Sequence, residues 1–116
     1  NEINMEIART LLEFRNASVD GACNGQQAVE MFRSSPQNHY DAVLMDVRMP
    51  VMDGIAATQA IRGLDRADAA TVPILAMTAN AFAEDIERSR KAGMNEHLAK
   101  PIEPETLYAR LASYFR

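Results

Sequence analysis

The sequence holds no tryptophan, a single cysteine and few aromatic residues (6%). The lone Cys23 excludes an internal disulfide, and no Cys/His spacing suits zinc, which together fit a reducing cytoplasm. No apolar run approaches the roughly 20 residues that a bilayer span needs, and no signal-peptide pattern is present. Direct membrane contact is therefore not expected. Basic residues are not clustered. Twelve Lys and Arg against sixteen Asp and Glu leave a formal net charge of -4, which argues against nucleic-acid binding. What remains is 116 residues, 47% hydrophobic and 24% charged, which fits one domain with one hydrophobic core.

Helical and strand-like signals alternate at short intervals, the pattern of a doubly wound α/β fold. Ile3, Ile7 and Leu11 predict an amphipathic helix over residues 2–14. Ser18 to Cys23 reads as a short strand ending at Asn24-Gly25. Gln26 to Ser34 reads as a helix stopped by Ser35-Pro36. Residues 42–45 form a strand with continuous apolar character, buried on both faces. A helix follows from about Asp53 to Arg62. Gly63 to Val72 reads as a loop with a frayed helix end. Pro73 to Met77 is a buried strand led by a proline. Phe82 to Ala92 is a helix closed by Gly93. His97 to Ala99 is a strand, and Pro104 opens the last helix. The seven methionines read as core filler. The expectation is five helices and four strands, with the pattern opening on a helix. In a βα order this leaves the first strand absent, and the chain reads as an amino-terminally incomplete piece of something longer.

Three apolar strands run into a polar residue that packing does not require. They are Asp46, Thr78 and Lys100. Taken singly, each has an ordinary explanation. Asp46 could end a strand in a turn, Thr78 could cap the following helix, and Lys100 could be a solvated lysine. In a parallel sheet, however, strand ends lie side by side on one edge, so carboxylate, hydroxyl and ammonium can converge. A carboxylate can act as a nucleophile toward phosphorus, a lysine can meet phosphoryl oxygens as a point charge, and Mg²⁺ can neutralise charge through oxygen ligands.

Val43-Leu44-Met45-Asp46-Val47-Arg48-Met49-Pro50-Val51-Met52-Asp53-Gly54, Ile74 to Asn80, and Ala92-Gly93-Met94-Asn95 through Lys100-Pro101 carry a resemblance. On these segments the chain resembles a response-regulator receiver domain of two-component signalling. It is most similar to receivers attached to hybrid sensor histidine kinases. The resemblance covers nearly all of residues 1–116, as one domain. It implies a flavodoxin-like parallel sheet with strand order 2-1-3-4-5, in which the absent first strand would be the central one.

The resemblance also implies roles. Asp46 is expected to take a phosphoryl group from a phosphohistidine, supplied by a histidine kinase or a histidine phosphotransfer domain. The receiver would assist its own phosphorylation, within a parent hybrid histidine kinase. Lys100 would bond the phosphoryl group, and its bond to Pro101 is expected to be cis. Thr78 would be the switch hydroxyl and His97 the ring that turns with it. Arg48 and Asn80 would flank the phosphoryl group, and the small Ala79 would leave access to it. Asp46 and the backbone carbonyl of Arg48 would be Mg²⁺ ligands, with the remaining acidic ligands expected before Asn1. Glu2 is a weak stand-in, since it lies within the first helix. A cytoplasmic site follows, with membrane tethering only through a parent kinase, and dimerisation is left open. Two other readings are a receiver that only mediates protein contacts and a flavin-binding electron carrier. The second lacks a hydroxyl- and glycine-rich phosphate loop and stacking aromatics.

Overall fold

The computed structural model describes residues 2–22, 24–46, 52–78, 83–100 and 102–114. The elements are α1 (Glu2–Phe14), α2 (Gly25–Ser34), β1 (Val43–Asp46), α3 (Gly54–Arg62), α4 (Ala67–Thr71), β2 (Ile74–Thr78), α5 (Ala83–Ala92), β3 (Glu96–Ala99) and α6 (Pro104–Ala112).

The three strands form one parallel sheet in the order β1-β2-β3. Val43 lies opposite Ile74 and Asp46 opposite Met77; Leu75 lies opposite Glu96 and Thr78 opposite Ala99. β2 is central and buried along its whole length, so Ile74-Leu75-Ala76-Met77 shows no polar alternation. Successive side chains still point to opposite faces. Ile74 and Ala76 join Met45, Phe32, Ala57, Ile61, Ala69 and Met94 in a core beneath α2, α3 and α4. Leu75 and Met77 join Leu98, Ala8, Leu107 and Leu111 in a second core beneath α1 and α6. Helices thus cover both faces of an open parallel sheet, the flavodoxin-like arrangement expected from the sequence.

Helix ends follow local chemistry. Asn24 Oδ1 accepts the Gln27 backbone N–H at 2.8 Å at the start of α2, and Asp53 Oδ1 does the same for Ala56 at α3. Asn16, at φ 67°, closes α1: its N–H donates to Glu13 O, and that of Ala17 donates to Leu12 O. Gly93, at φ 114°, ends α5 as the sequence predicts.

Two expectations are corrected. Residues 18–22 form no strand, and Cys23 lies outside the described residues. A strand needs a ladder partner. In the order that the resemblance implies, this segment pairs only with a strand preceding α1, and no such strand occurs among the described residues. Instead Val19 O accepts from Arg9 Nη2 at 3.2 Å. The stretch read as a loop contains α4, so the described residues hold six helices and three strands rather than five and four. α4 is held by a polar network, which leaves no apolar period to detect. Arg66 donates to both oxygens of the buried Asp68 at 2.7 and 2.9 Å, and to Phe32 O, Ser35 O and Pro36 O at the end of α2. Its guanidinium also lies 4.9 Å from the centre of the Phe32 ring.

Candidate functional site

The parallel register puts the carboxyl ends of all three strands on one edge. Asp46 is the last residue of β1, Thr78 the last of β2, and Lys100 follows β3 directly. Each is delivered there by an apolar strand that cannot shift register without taking its core residues to the wrong face. Lys100 Nζ donates to Asp46 Oδ2 at 2.8 Å, and the two side chains are 13% and 2% exposed. β2 lies between the two strands, so the lysine stem spans its end. The Lys100 backbone N–H donates to Thr78 O at 2.9 Å, which fixes the start of that stem. Thr78 itself is buried. The three residues singled out from sequence are therefore brought together.

His97 is partly buried on β3 opposite Ala76. Its neighbour Leu98 points into the α1/α6 core, so His97 faces the other side of the sheet, the side that Ala76 and Thr78 share. Its Nε2 is buried without a hydrogen-bond partner. Burial first, and the nearby Arg90 second, push its imidazole below the ordinary histidine range, with Glu96 acting in the opposite direction. Arg48, Ala79, Asn80 and Pro101 lie outside the described residues, as does the side chain of Glu2.

The donor set bears on Mg²⁺. A hard cation of this kind needs oxygen ligands, often one or two carboxylates completed by water. Asp46 is such a donor, but no cluster of three acidic, histidine or cysteine side chains occurs among the described residues. These residues alone do not complete a Mg²⁺ site.

Gly25 was not singled out from sequence. Its N–H donates to Met52 O at 3.1 Å, fastening the start of α2 to the connection between β1 and α3. A Cβ at Gly25 would lie 2.2 Å from that carbonyl oxygen, so only glycine permits the approach. An Asn-Gly pair at a helix start was the available signal. A surface hollow of about 370 Å³ is lined by α2 and the following loop, including Glu30, Met31, His39 and Tyr40, and by none of the site residues.

Comparison with known proteins agrees with this geometry. Residues 1–112 match the response regulator receiver domain family. Hybrid signal transduction histidine kinase I of Dictyostelium discoideum is 36% identical over 110 residues, covering 93% of this chain and 6% of the relative. The signal transduction histidine-protein kinase BarA of Escherichia coli K12 is 40% identical over 114 residues, covering 98% and 12%. The chain thus spans only a small part of the length of these relatives. A crystal structure of the receiver domain of sensor histidine kinase PA1611 from Pseudomonas aeruginosa PAO1 superposes with a TM-score of 0.87 at 38% identity. It covers 98% of this chain and 89% of its own, and it has a magnesium ion coordinated in its active site cleft. An open parallel sheet with a carboxylate and a lysine paired at its carboxyl edge defines a receiver-type module. The chain belongs to the response regulator receiver domain family of two-component signalling. That membership sets aside the flavin-carrier reading. No helix among the described residues is long and apolar enough to cross a membrane.

Proposed function

We propose that the chain is a phosphoacceptor switch. Asp46 takes the phosphoryl group of a phosphohistidine carried by a histidine kinase or a histidine phosphotransfer domain. The observation that carries this reading is the buried 2.8 Å contact between Lys100 Nζ and Asp46 Oδ2 at the carboxyl edge of the sheet. A carboxylate oxygen forms the new O–P bond as the P–N bond to the donor imidazole breaks. The bond's electron pair goes to the imidazole nitrogen, which takes up a proton. Lys100 holds the carboxylate oriented before transfer, then follows the negative charge onto the phosphoryl oxygens.

Thr78, at the end of the intervening strand, donates its hydroxyl to a phosphoryl oxygen once the group arrives. His97, on the same face of the sheet, turns with it. The resulting bias re-shapes the surface formed by α5, β3 and α6. Arg48 and Asn80 flank the phosphoryl group and tune its hydrolysis, and the small Ala79 leaves access to it. Asp46 and the carbonyl of Arg48 would hold Mg²⁺, which when bound neutralises charge on the phosphoryl group. On this reading the domain works on the cytoplasmic side within a hybrid kinase.

A second reading is a receiver that acts only through protein contacts, favoured by the lack, among the described residues, of any group of three acidic, histidine or cysteine side chains that could hold a metal. Beryllofluoride with Mg²⁺ separates the two in amide spectra of the native protein. A phosphoacceptor shifts amides around Asp46, Thr78 and Lys100. A folded protein showing no such shifts is an interaction module.

A further inference from the structure

Lys100 can meet Asp46 only if β3 stops at one place along β2. Alternation of side chains excludes a slip by one residue, because that would turn Leu98 out of its core. A slip by two residues leaves Leu98 on the same face, so alternation does not exclude it. Such a slip would carry Lys100 about 7 Å along the sheet, whereas its contact with Asp46 is 2.8 Å long. Another contact has to set where β3 begins.

That contact lies at the opposite end of the strand. The Asn95 backbone N–H donates to Ile74 O at 2.8 Å, and Asn95 Oδ1 accepts the Ile74 N–H at 2.8 Å. One residue thus engages both backbone groups of the wholly buried Ile74. A slip by two would bring Gly93 or His97 to this place, and Gly93 has no side chain while His97 has no side-chain oxygen. Asn95 Oδ1 also accepts from Arg62 Nη2 at 2.9 Å. Arg62 donates besides to Gly93 O, from Nη2 at 2.8 Å and Nε at 3.1 Å, and to Ala69 O from Nη1 at 3.0 Å. Its planar fork thereby ties the Asn95 oxygen to α3 and α4. A Cβ at Gly93 would lie 2.9 Å from Arg62 Cγ, so the glycine leaves room for that stem.

We propose that Asn95 and Arg62 are positioning residues for Lys100: they fix the start of β3 and so set where its far end presents the ammonium to Asp46. The functional meaning rests on the phosphoacceptor reading, in which that ammonium goes on to meet the phosphoryl group. Neither residue touches the reacting atoms. At about 3.3 Å per residue, Asn95 lies about 16 Å from Lys100. The Lys100 N–H, donating to Thr78 O at 2.9 Å, fastens the far end, so β3 is held at both ends.

The test is a set of double-mutant cycles read by urea unfolding of the unphosphorylated chain. In the native background Lys100→Ala should raise the unfolding constant about 150-fold, the loss expected when a buried pair is broken. With Arg62→Met or Asn95→Ala already present it should raise it only about tenfold, because Lys100 is then no longer held at Asp46. Asn95→Asp keeps an oxygen for Ile74 and Arg62, and should keep the full loss. Substitutions this far apart that merely stabilise the fold act independently to within about a factor of two. A Lys100→Ala loss in these backgrounds within about twofold of the native one therefore overturns the proposal, as does Asn95→Asp behaving like Asn95→Ala. Where one of the two backgrounds folds poorly, the other decides. Because the cycles need no phosphoryl donor, failure to respond to beryllofluoride would sink the phosphoacceptor reading and leave the positioning result standing.

Discussion

The side chain of Lys100 crosses the end of β2 to reach Asp46, with Nζ 2.8 Å from Oδ2 and the carboxylate 2% exposed. Both groups are largely withdrawn from water, and each compensates part of the other's burial. Removing one partner takes that compensation from a buried charge. Lys100→Ala should therefore lower stability by about 3 kcal/mol, and adding Asp46→Asn should recover much of that loss. Urea unfolding of the two variants checks this, and an unchanged Lys100→Ala midpoint would count against a buried pair. In the native protein the same substitution should slow phosphoryl transfer about 100-fold, since it removes one preorganised charge at the reacting group.

Gly25 and Met52 set the position of α2 against the segment that follows Asp46. Gly25→Ala forces a Cβ to within 2.2 Å of a backbone oxygen, so α2 or that segment must move. The expected cost is about 2 kcal/mol in thermal unfolding. Gly63→Ala serves as the comparison, because φ there is -84° and the new Cβ meets Gln59 O at 3.3 Å. A smaller loss at Gly25 than at Gly63 would contradict this account.

Asp68 makes stability depend on acid. Its hydrogen bonds from Arg66, and the Asn38 N–H at 2.8 Å, hold its carboxyl below the ordinary value of 3.8, against the opposing effect of burial. The folded state thus binds this proton less readily than the unfolded one. The stabilisation is present above 3.8 and is lost as pH falls through the lower folded value. Asp68→Asn should flatten the pH dependence of the unfolding midpoint below about pH 4 and leave its slope near pH 7 unchanged. Retention of the full acid slope would assign that slope to other carboxylates.

Much of this architecture is legible because buried parallel strands announce themselves. Val43-Leu44-Met45 and Ile74-Leu75-Ala76-Met77 are continuous apolar runs, and each ends on a residue that core packing does not explain. That break located Asp46 and Thr78, and Lys100 follows the same logic after Leu98-Ala99. The signal fails where structure depends on partners distant in sequence. Residues 18–22 have strand-like composition but no neighbour to pair with among the described residues, and composition alone cannot reveal that. α4 is organised by Arg66 and Asp68 acting on the end of α2, some thirty residues earlier. No local period records such a contact. Gly25 was visible as a turn residue, but its close approach to Met52 O needs the third dimension.

His97 shows a different limit. The resemblance assigns it a turning role, while the structure shows that its Nε2 is buried and unpartnered. The chemistry of a histidine depends on these surroundings, which its sequence neighbours do not specify.

The central claim is that Asp46 accepts phosphoryl groups with Lys100 at its side. The most direct measurement is to incubate the native protein with a phosphohistidine-bearing donor protein and Mg²⁺, then locate the label by peptide mapping after hydroxylamine or borohydride trapping. The account predicts one acyl phosphate, on Asp46, absent in Asp46→Asn and strongly reduced in Lys100→Ala. Label on another residue, or none on a folded protein whose donor is competent toward a second receiver, would contradict it.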